Sequence, residues 1–506
     1  MHDSWPTSPD DAPGNAGGRP RQDGPSRRGG PERAPTGSRA ASGAGDVDLH
    51  LDLRVGPGSG GRRAALERAL RDAVRSGRLA PGSRLPSSRR LAVETGLSRG
   101  TVKAAYDQLT AEGYLAARRG SGTVVAARSA APAGRETAAG PAPASGAAAP
   151  PRFDLRPGSP DVTSFPTSAW LRATRRALGS VPSAAYDYGD PRGRIELRRV
   201  LAEYLGRTRG VFAEPERIVV TTGYVQGLAL LVRVAAGVVA MEDPGLPFHR
   251  EVVRRNGGEV VPLPTDGLGA RTDLLGTFPQ ADAVVVTPAH QYPTGVTLHP
   301  ARRQALTAWA RASGGLVIED DYDGEFRYDR QPVGALQGMA PDHVAYLGTA
   351  SKTLGPALRL GWMVLPPRLV EPVAEAKLYS DFHTGAVAQL ALAELIAGHG
   401  YDRHVRTSRL RYRRRRDLLV SRLTGPYRAG GIAAGLHALV GLPPGVREED
   451  VRRRAAGLGL ALGTLADHWH EPSPHHPQGL IIGYGTPGEG SYPAALDALV
   501  RTLGHG

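Results

Sequence analysis

"GLVIEDDYDGEF", residues 315–326, sets the character of the larger part of this chain. A short aliphatic, β-branched run closes on acids, as a strand does when both its faces are buried and its carboxyl end opens on a polar site. The same punctuation recurs elsewhere. "RIVVTT" (217–222), "GVVAMED" (237–243) and "ADAVVVTP" (281–288) are each followed by a turn and a helical pattern. Alternation of strand and helix from Phe153 onward predicts an α/β domain with a largely parallel sheet. Such sheets gather ligands beyond the carboxyl ends of their strands, which makes Asp320 and Tyr322 candidate ligand residues.

At 506 residues the chain exceeds one ordinary domain, and two or three are expected. No apolar run approaches the length of a bilayer span. The opening "MHDSWPTSPDD" also lacks the basic and then apolar segments of an export signal, so a cytoplasmic protein without a membrane span is expected. The absence of cysteine excludes disulfides, thiolate nucleophiles and Cys-ligated metals. A net charge of +14 permits a nucleic-acid partner, although a GC-rich coding sequence would also enrich arginine.

Composition divides the chain into four segments. Residues 1–45 read as a disordered Gly/Pro/Ser/Arg tail, and residues 129–152 as an Ala/Pro/Gly linker. Between them, residues 46–128 hold 15 Arg/Lys against 8 Asp/Glu. There "RRAALERALRDAVRSGRL" (62–79) has helical spacing, and two short helices follow. The first spans about Ser87 to Glu94 and stops at Gly96. The second is capped by Ser98 and buries Val102, Ala105, Tyr106 and Leu109. "GYLAARRGSGTVVA" (113–126) adds two strands around a basic tip. The pattern is a winged helix-turn-helix with Arg99 and Lys103 on its outer face. Pattern alone equally suits a small protein-interaction module with a solvated basic face.

The residues add a likeness. "PGSRLPSSRRLA" (81–92), "GLSRGTVKAAYDQLTAEGYL" (96–115) and "RGSGTVV" (119–125) together resemble the winged-helix domain of GntR-type bacterial regulators. That resemblance implies that Arg89, Arg99, Gly100, Thr101 and Lys103 contact double-stranded operator DNA. Arg119 and Gly120 at the wing tip would reach the minor groove. The Arg99 fork matches two acceptors on a guanine edge, whereas Thr101 suits a phosphate.

In residues 153–506, "TASKTLGPALRLGW" (349–362) carries one of the chain's three lysines, Lys103, Lys352 and Lys377. A snorkelling surface lysine is the ordinary fate of such a residue. Lys352, however, sits in a weakly polar stretch of a chain that writes nearly every cation as arginine. Only an amine that can lose its proton condenses with an aldehyde, and a guanidinium cannot. The chemistry indicated is a Schiff base. "TTGYVQGL" (221–228) could cradle a phosphate at a helix start. Arg359 can add a second phosphate contact, and an acid at Asp320 could keep a pyridine nitrogen protonated.

Together these motifs resemble a fold-type I, pyridoxal 5'-phosphate-dependent aminotransferase domain. With the winged helix, the whole chain resembles regulators of the MocR/GabR family. The resemblance implies that Lys352 carries the cofactor as an aldimine and that Asp320 pairs with the ring nitrogen. It places Tyr322 on the ring's phenolic oxygen, with Tyr292 of "TPAHQYPTG" (287–295) beside it. Arg359, Gly223 and Tyr224 would hold the phosphate, and Tyr188 of "YDYGDPRG" (186–193) would approach it from the other subunit of a homodimer.

Two positions depart from the family pattern. Leu246 of "EDPGLPFHR" (242–250) stands where a ring-stacking tyrosine is common, leaving Phe248 or His249 as substitutes or Phe248 as a core residue. Ile481 and Ile482 of "GLIIGYG" (479–485) stand where fold-type I enzymes hold a substrate carboxylate with arginine. The run "RLRYRRRRD" (409–417) reads as a solvated helix face or a second DNA contact, and the histidines of "DHWHEPSPHH" (467–476) show no metal-binding spacing. The expected function is a DNA-binding regulator that senses pyridoxal phosphate or its aldimine with an amine or amino-acid effector. An active aminotransferase with an accessory DNA-binding domain is the alternative. A third reading is a degenerate domain kept for dimerisation.

Overall fold

The computed structural model describes residues 61–118, 122–126, 151–329 and 333–504. The expected tail, all but the end of the expected linker, and the wing-tip residues Arg119 and Gly120 lie outside the described residues. The chain divides between residues 145 and 146 into two units.

The first unit holds helices α1 (Gly61–Arg75), α2 (Ser88–Thr95) and α3 (Arg99–Ala111), then antiparallel strands β1 (Leu115–Arg118) and β2 (Gly122–Val125). Local chemistry sets the helix ends. Ser87 Oγ accepts the Arg90 N–H at 3.3 Å to start α2, and Gly96 ends it at a left-handed φ of 67°. Ser98 Oγ accepts the Thr101 N–H at 3.1 Å to start α3. Leu66, Leu70, Leu91, Val102 and Leu109 close the core, and the Tyr106 hydroxyl donates to the Pro86 carbonyl at 2.9 Å. This is the expected winged helix-turn-helix.

The second unit begins with β3 (Phe153–Asp154), α4 (Thr167–Ser180), α5 (Ile195–Arg209), β4 (Ile218–Thr221) and α6 (Tyr224–Ala235). It continues through β5 (Val238–Asp243), α7 (Pro247–Arg255), β6 (Glu259–Asp266), β7 (Gly269–Ala270), β8 (Ala283–Val286) and α8 (Pro300–Ser313). Next come β9 (Leu316–Asp321), β10 (Val344–Thr349), β11 (Gly361–Val364), α9 (Pro367–Asp381), α10 (Ala386–Ala397) and α11 (Gly400–Arg422). The chain closes with β12 (His437–Gly441), α12 (Glu448–Gly457), β13 (Leu460–Ala461), β14 (Gly463–Thr464), β15 (Gly479–Gly483) and α13 (Tyr492–Leu503).

Eight strands make one mixed sheet, ordered β4-β11-β10-β9-β8-β5-β6-β7. Strands β10, β9, β8, β5 and β6 run parallel, as the alternation predicts, while β11 is antiparallel to both neighbours. Strands β8 and β9 are buried throughout, which is why they read as unbroken runs. A fully buried valine there contributes roughly 1.5–3 kcal/mol. A second, antiparallel sheet, β12-β15-β14, packs with α11, α12 and α13. It presents Leu436 and His437 to the cavity at the carboxyl ends of the large sheet. No described helix is long and apolar enough to cross a membrane.

The arginine run on α11 does not form a single solvated face. Arg415 is buried against Asp161 at 2.7 Å, and Arg409 donates to the Glu325 carbonyl at 3.0 Å. Of the six arginines in the run 409–417, only Arg413 and Arg414 are exposed. Helical spacing turns Arg415 inward, where the carbonyls of Tyr484 and Pro487 complete its hydrogen bonds.

Candidate functional site

A cavity of about 310 Å³ opens at the carboxyl ends of β5, β8, β9 and β10. Lys352 projects into it from the turn after β10 and donates a hydrogen bond to the Gly158 carbonyl. Burial lowers the affinity of this amine for its proton, and the charges of Asp320 and Asp323 only partly oppose that shift.

Asp320 lies on β9, opposite Leu347 of β10. Strand alternation sends neighbouring acids to opposite faces. Asp321 therefore points away, to a buried two-pronged ion pair with Arg209 at 2.7 and 2.8 Å. Breaking that pair from one side would cost roughly 3–5 kcal/mol. Gly324 must be glycine here, because a Cβ would stand 2.1 Å from Asp321 Oδ1. With β9 anchored in this way, Asp320 faces the cavity. Its Oδ1 is buried without a hydrogen-bond partner, and its Oδ2 lies 4.0 Å from His249 Nδ1. Burial, reinforced by Asp321, Asp323 and Glu242 against the opposing charge of Lys352, holds the Asp320 carboxyl well above the usual range. Burial drives His249 down to about 3, so the ring beside Asp320 is neutral.

One end of the cavity is built where β11 pairs with β4, Gly361 opposite Thr221. That register lays the Arg359 guanidinium on Gly223, whose Cβ would meet Nη1 and Nη2 at 3.3 Å. Gly223 also takes a φ of 119°, and no side chain caps α6, leaving first-turn N–H groups free for an anion. Arg359 is itself left-handed at a φ of 50° and forms no ion pair among the described residues. Tyr224 packs on His249 with ring centroids 4.5 Å apart, and its hydroxyl is buried without a partner.

Tyr322 donates to the His290 carbonyl at 3.0 Å, and His290 Nδ1 lies 2.9 Å from Asp323 Oδ2. His468 Nδ1 donates to the Thr464 carbonyl at 2.9 Å, so its Nε2 accepts from the Tyr292 hydroxyl at 3.1 Å. Tyr188 lies elsewhere. It is 77% exposed, with its ring 4.7 Å from that of Phe382, outside this chain's cavity. Phe248 is 59% exposed and neither a core nor a cavity residue, whereas Leu246 and His249 line the wall. Ile481 and Ile482 are fully buried in β15.

On the first unit, Arg89, Arg99, Gly100 and Lys103 are exposed near the starts of α2 and α3. Thr101 is half-buried, its hydroxyl 2.9 Å from Ser98 Oγ, so part of its hydrogen-bonding capacity goes to the cap. Arg89 and Arg99 have no side-chain partner among the described residues. Lys103 has only a loose, exposed pairing with Asp107 at 3.7 Å.

Sequence reasoning missed Glu242 and His437. Glu242 ends "GVVAME" as Asp320 ends "GLVIED", so the same rule could have found it. His437 comes from the second sheet and has no local signal. It is buried in the wall with an unpartnered Nε2. Burial raises Glu242 to about 7, partly offset by hydrogen bonds from Thr287 and Gln291. Folding therefore binds a proton between the ordinary value of 4.5 and 7, and this contribution to stability is lost as pH rises through that window. Glu242→Gln keeps the hydrogen-bond acceptor without the charge. Its stability relative to wild type is expected to improve by up to about 3 kcal/mol between pH 4.5 and pH 7, measured by urea unfolding.

Comparison with known proteins agrees with both units. The family profile described as "Aminotransferase class I and II" matches residues 155–444, and that described as "Bacterial regulatory proteins, gntR family" matches residues 62–125. The chain is 35% identical over 430 residues to the HTH-type pyridoxine biosynthesis transcriptional regulator PdxR of Corynebacterium glutamicum, covering 83% of this chain and 91% of that protein. It is 32% identical over 443 residues to the probable rhizopine catabolism regulatory protein MocR of Rhizobium meliloti, covering 82% and 88%. A tetra mutant of Thermus thermophilus aspartate aminotransferase superposes with a TM-score of 0.62 at 26% identity, over 69% of this chain and 96% of that one. Pyrococcus horikoshii kynurenine aminotransferase shares the fold with a TM-score of 0.64 at 24% identity, over 70% and 91%.

Proposed function

The chain belongs to the family of regulators that join a gntR-type DNA-binding domain to a class I and II aminotransferase domain. From that premise we propose that it binds operator DNA through α3 and senses pyridoxal 5'-phosphate, or its adduct with a small amine, in the cavity of Lys352. One observation carries this reading: the Lys352 amine, the orphaned Asp320 Oδ1 and Arg359, whose guanidinium packs on Gly223, converge on one cavity.

The donor set fits the cofactor. Lys352, deprotonated more readily than a free lysine, would hold it covalently. Asp320 would keep the proton of the ring nitrogen, beside neutral His249. Arg359, Gly223 and the Tyr224 N–H would bind its phosphate, with Tyr322 and Tyr292 near the ring oxygen. When bound, the cofactor supplies an aldehyde and an electron-withdrawing pyridinium.

Charge on the cavity wall argues for sensing the cofactor, or an amine without a carboxylate, rather than an amino acid. Arg250 reaches the wall, but its guanidinium is occupied by the carbonyls of Gly245, His468 and Trp469, each at 3.0 Å. Arg359 is committed to the phosphate end. The name of the Corynebacterium relative, a regulator of pyridoxine biosynthesis, supports the same choice. Ligand capture would favour one of two states that differ in operator affinity. A homodimer in the cytoplasm is part of this reading. Tyr188, Tyr379 and Phe382 expose aromatic surface that a second copy would cover, and sedimentation velocity tests the assembly.

The test is the affinity of the protein for a duplex that it selects from a randomised pool, measured at fixed salt with and without pyridoxal phosphate. An affinity unmoved by the cofactor sinks the proposal. The intact Lys352, Asp320 and Arg359 set favours a second reading, an active aminotransferase, which steady turnover of an amino acid with a keto acid would establish.

A further inference from the structure

Lys377 is the most enclosed of the three lysines, its side chain 0% exposed on α9. Its Nζ lies 2.6 Å from Asp381 Oδ1, one turn along the helix. Asp381 Oδ2 accepts from Gln226 Nε2 at 2.8 Å, and Gln226 Oε1 accepts the Thr222 N–H at 2.9 Å. These links lead from α9 to the turn that carries Gly223. None of the four residues lines the cavity.

That turn has one internal restraint, the Thr221 hydroxyl donating to the Gly223 carbonyl at 3.1 Å, and a brace from outside. Gly223 has no side chain to restrain it, and α6 begins without a side-chain cap. Gln226 supplies the outer restraint, its NH₂ end donating to Asp381 and its Oε1 lying 3.5 Å from Lys377 Nζ. Asp381, partly exposed, is held inward by the ammonium of Lys377. Without that charge the carboxylate can turn to water and leave Gln226 free to rotate. The first-turn N–H groups of α6 and the Gly223–Arg359 contact would then lose their fixed direction.

We infer that Lys377 is a positioning residue for the phosphate end of the cavity, holding the Thr222–Gly223 turn through Asp381 and Gln226. This inference rests on the reading that pyridoxal phosphate is the ligand. Its test compares pyridoxal phosphate with pyridoxal, which lacks the phosphate, in absorbance titrations of the full-length protein. Lys377→Met and Gln226→Leu are each expected to weaken pyridoxal phosphate binding about tenfold to a hundredfold and to leave pyridoxal binding unchanged. Combined, the two changes should cost no more than either alone, because they cut one path.

Lys377→Met with Asp381→Leu removes the unpaired charge. It should recover thermal stability lost by Lys377→Met but not phosphate affinity, because Gln226 still lacks its acceptor. Equal weakening of both ligands, or recovery of phosphate affinity in the doubly apolar protein, would overturn the assignment and mark Lys377 as structural only. Gln226→Leu carries the test if Lys377→Met fails to fold. A wild type without preference for pyridoxal phosphate over pyridoxal overturns the ligand reading, and the brace with it.

Discussion

Lys352→Ala is expected to retain no pyridoxal phosphate after borohydride reduction, where the wild type retains one equivalent fixed as a secondary amine. Among the described residues the cavity offers no other primary amine. Lys103 stands on the exposed face of α3, and Lys377 is enclosed with Asp381. Arginines cannot substitute, because their guanidinium stays protonated. Lys352→Arg should fail in the same way, which separates the need for a reactive amine from the need for a positive charge. Burial lowers the Lys352 proton affinity, so uptake should rise with pH and reach its midpoint below the ordinary lysine value of 10.5. The fold should survive, since removing a desolvated ammonium relieves a penalty, leaving the Gly158 carbonyl without its donor and Asp320 still more readily protonated. Intact mass after reduction at a stoichiometric cofactor concentration reads the result. Equal labelling of the alanine protein would show that Lys352 is not the attachment point.

Arg99→Ala is expected to cost roughly fivefold to a hundredfold in affinity for the selected duplex, with a smaller loss on an unrelated sequence. A two-pronged contact to guanine is worth about 1–3 kcal/mol of discrimination. Arg99 is the first residue of α3, exposed and without a side-chain partner among the described residues. The cap between Ser98 and Thr101 does not involve its side chain, so the helix should remain intact. Arg99→Lys keeps the charge without the fork and should fall between wild type and alanine in affinity while losing most of the discrimination. Lys103→Ala should weaken both duplexes alike and lower the salt dependence by about one ion. Fluorescence anisotropy at two salt concentrations distinguishes the cases. An unchanged ratio of selected to unrelated affinity for Arg99→Ala would remove it from base recognition.

Much of this architecture was legible because its signals are local. Ser87, Gly96 and Ser98 mark helix ends through contacts three or four residues away, and buried strands declare themselves by composition. The placement of Lys352 in a cavity was legible because a lysine kept in a weakly polar stretch of an arginine-rich chain stands out. What escaped depends on contacts distant in sequence. Glu325 and Asp161 decide which arginines of the α11 run turn inward, and they lie 84 and 254 residues from their partners. His437 enters the cavity from another sheet, and Phe248 swings outward because α7 turns His249 to the wall instead. Asp320, singled out in the sequence, does face the cavity, but the Arg209 pair that takes Asp321 to the opposite face lies 112 residues away and has no local signal.

The scarcity of lysine also has an experimental use. The three side-chain amines sit one on the exposed face of α3, one in the cavity and one behind the Gly223–Arg359 contact. Isotope-labelled reductive methylation would place a separate NMR reporter at each accessible address, without mutating a residue. Duplex addition should move the Lys103 signal, cofactor should protect Lys352 from the reagent, and Lys377 should react only when the region around α9 opens. Parallel samples methylated with and without duplex and cofactor would then report operator engagement, ligand capture and local opening by which amines have reacted.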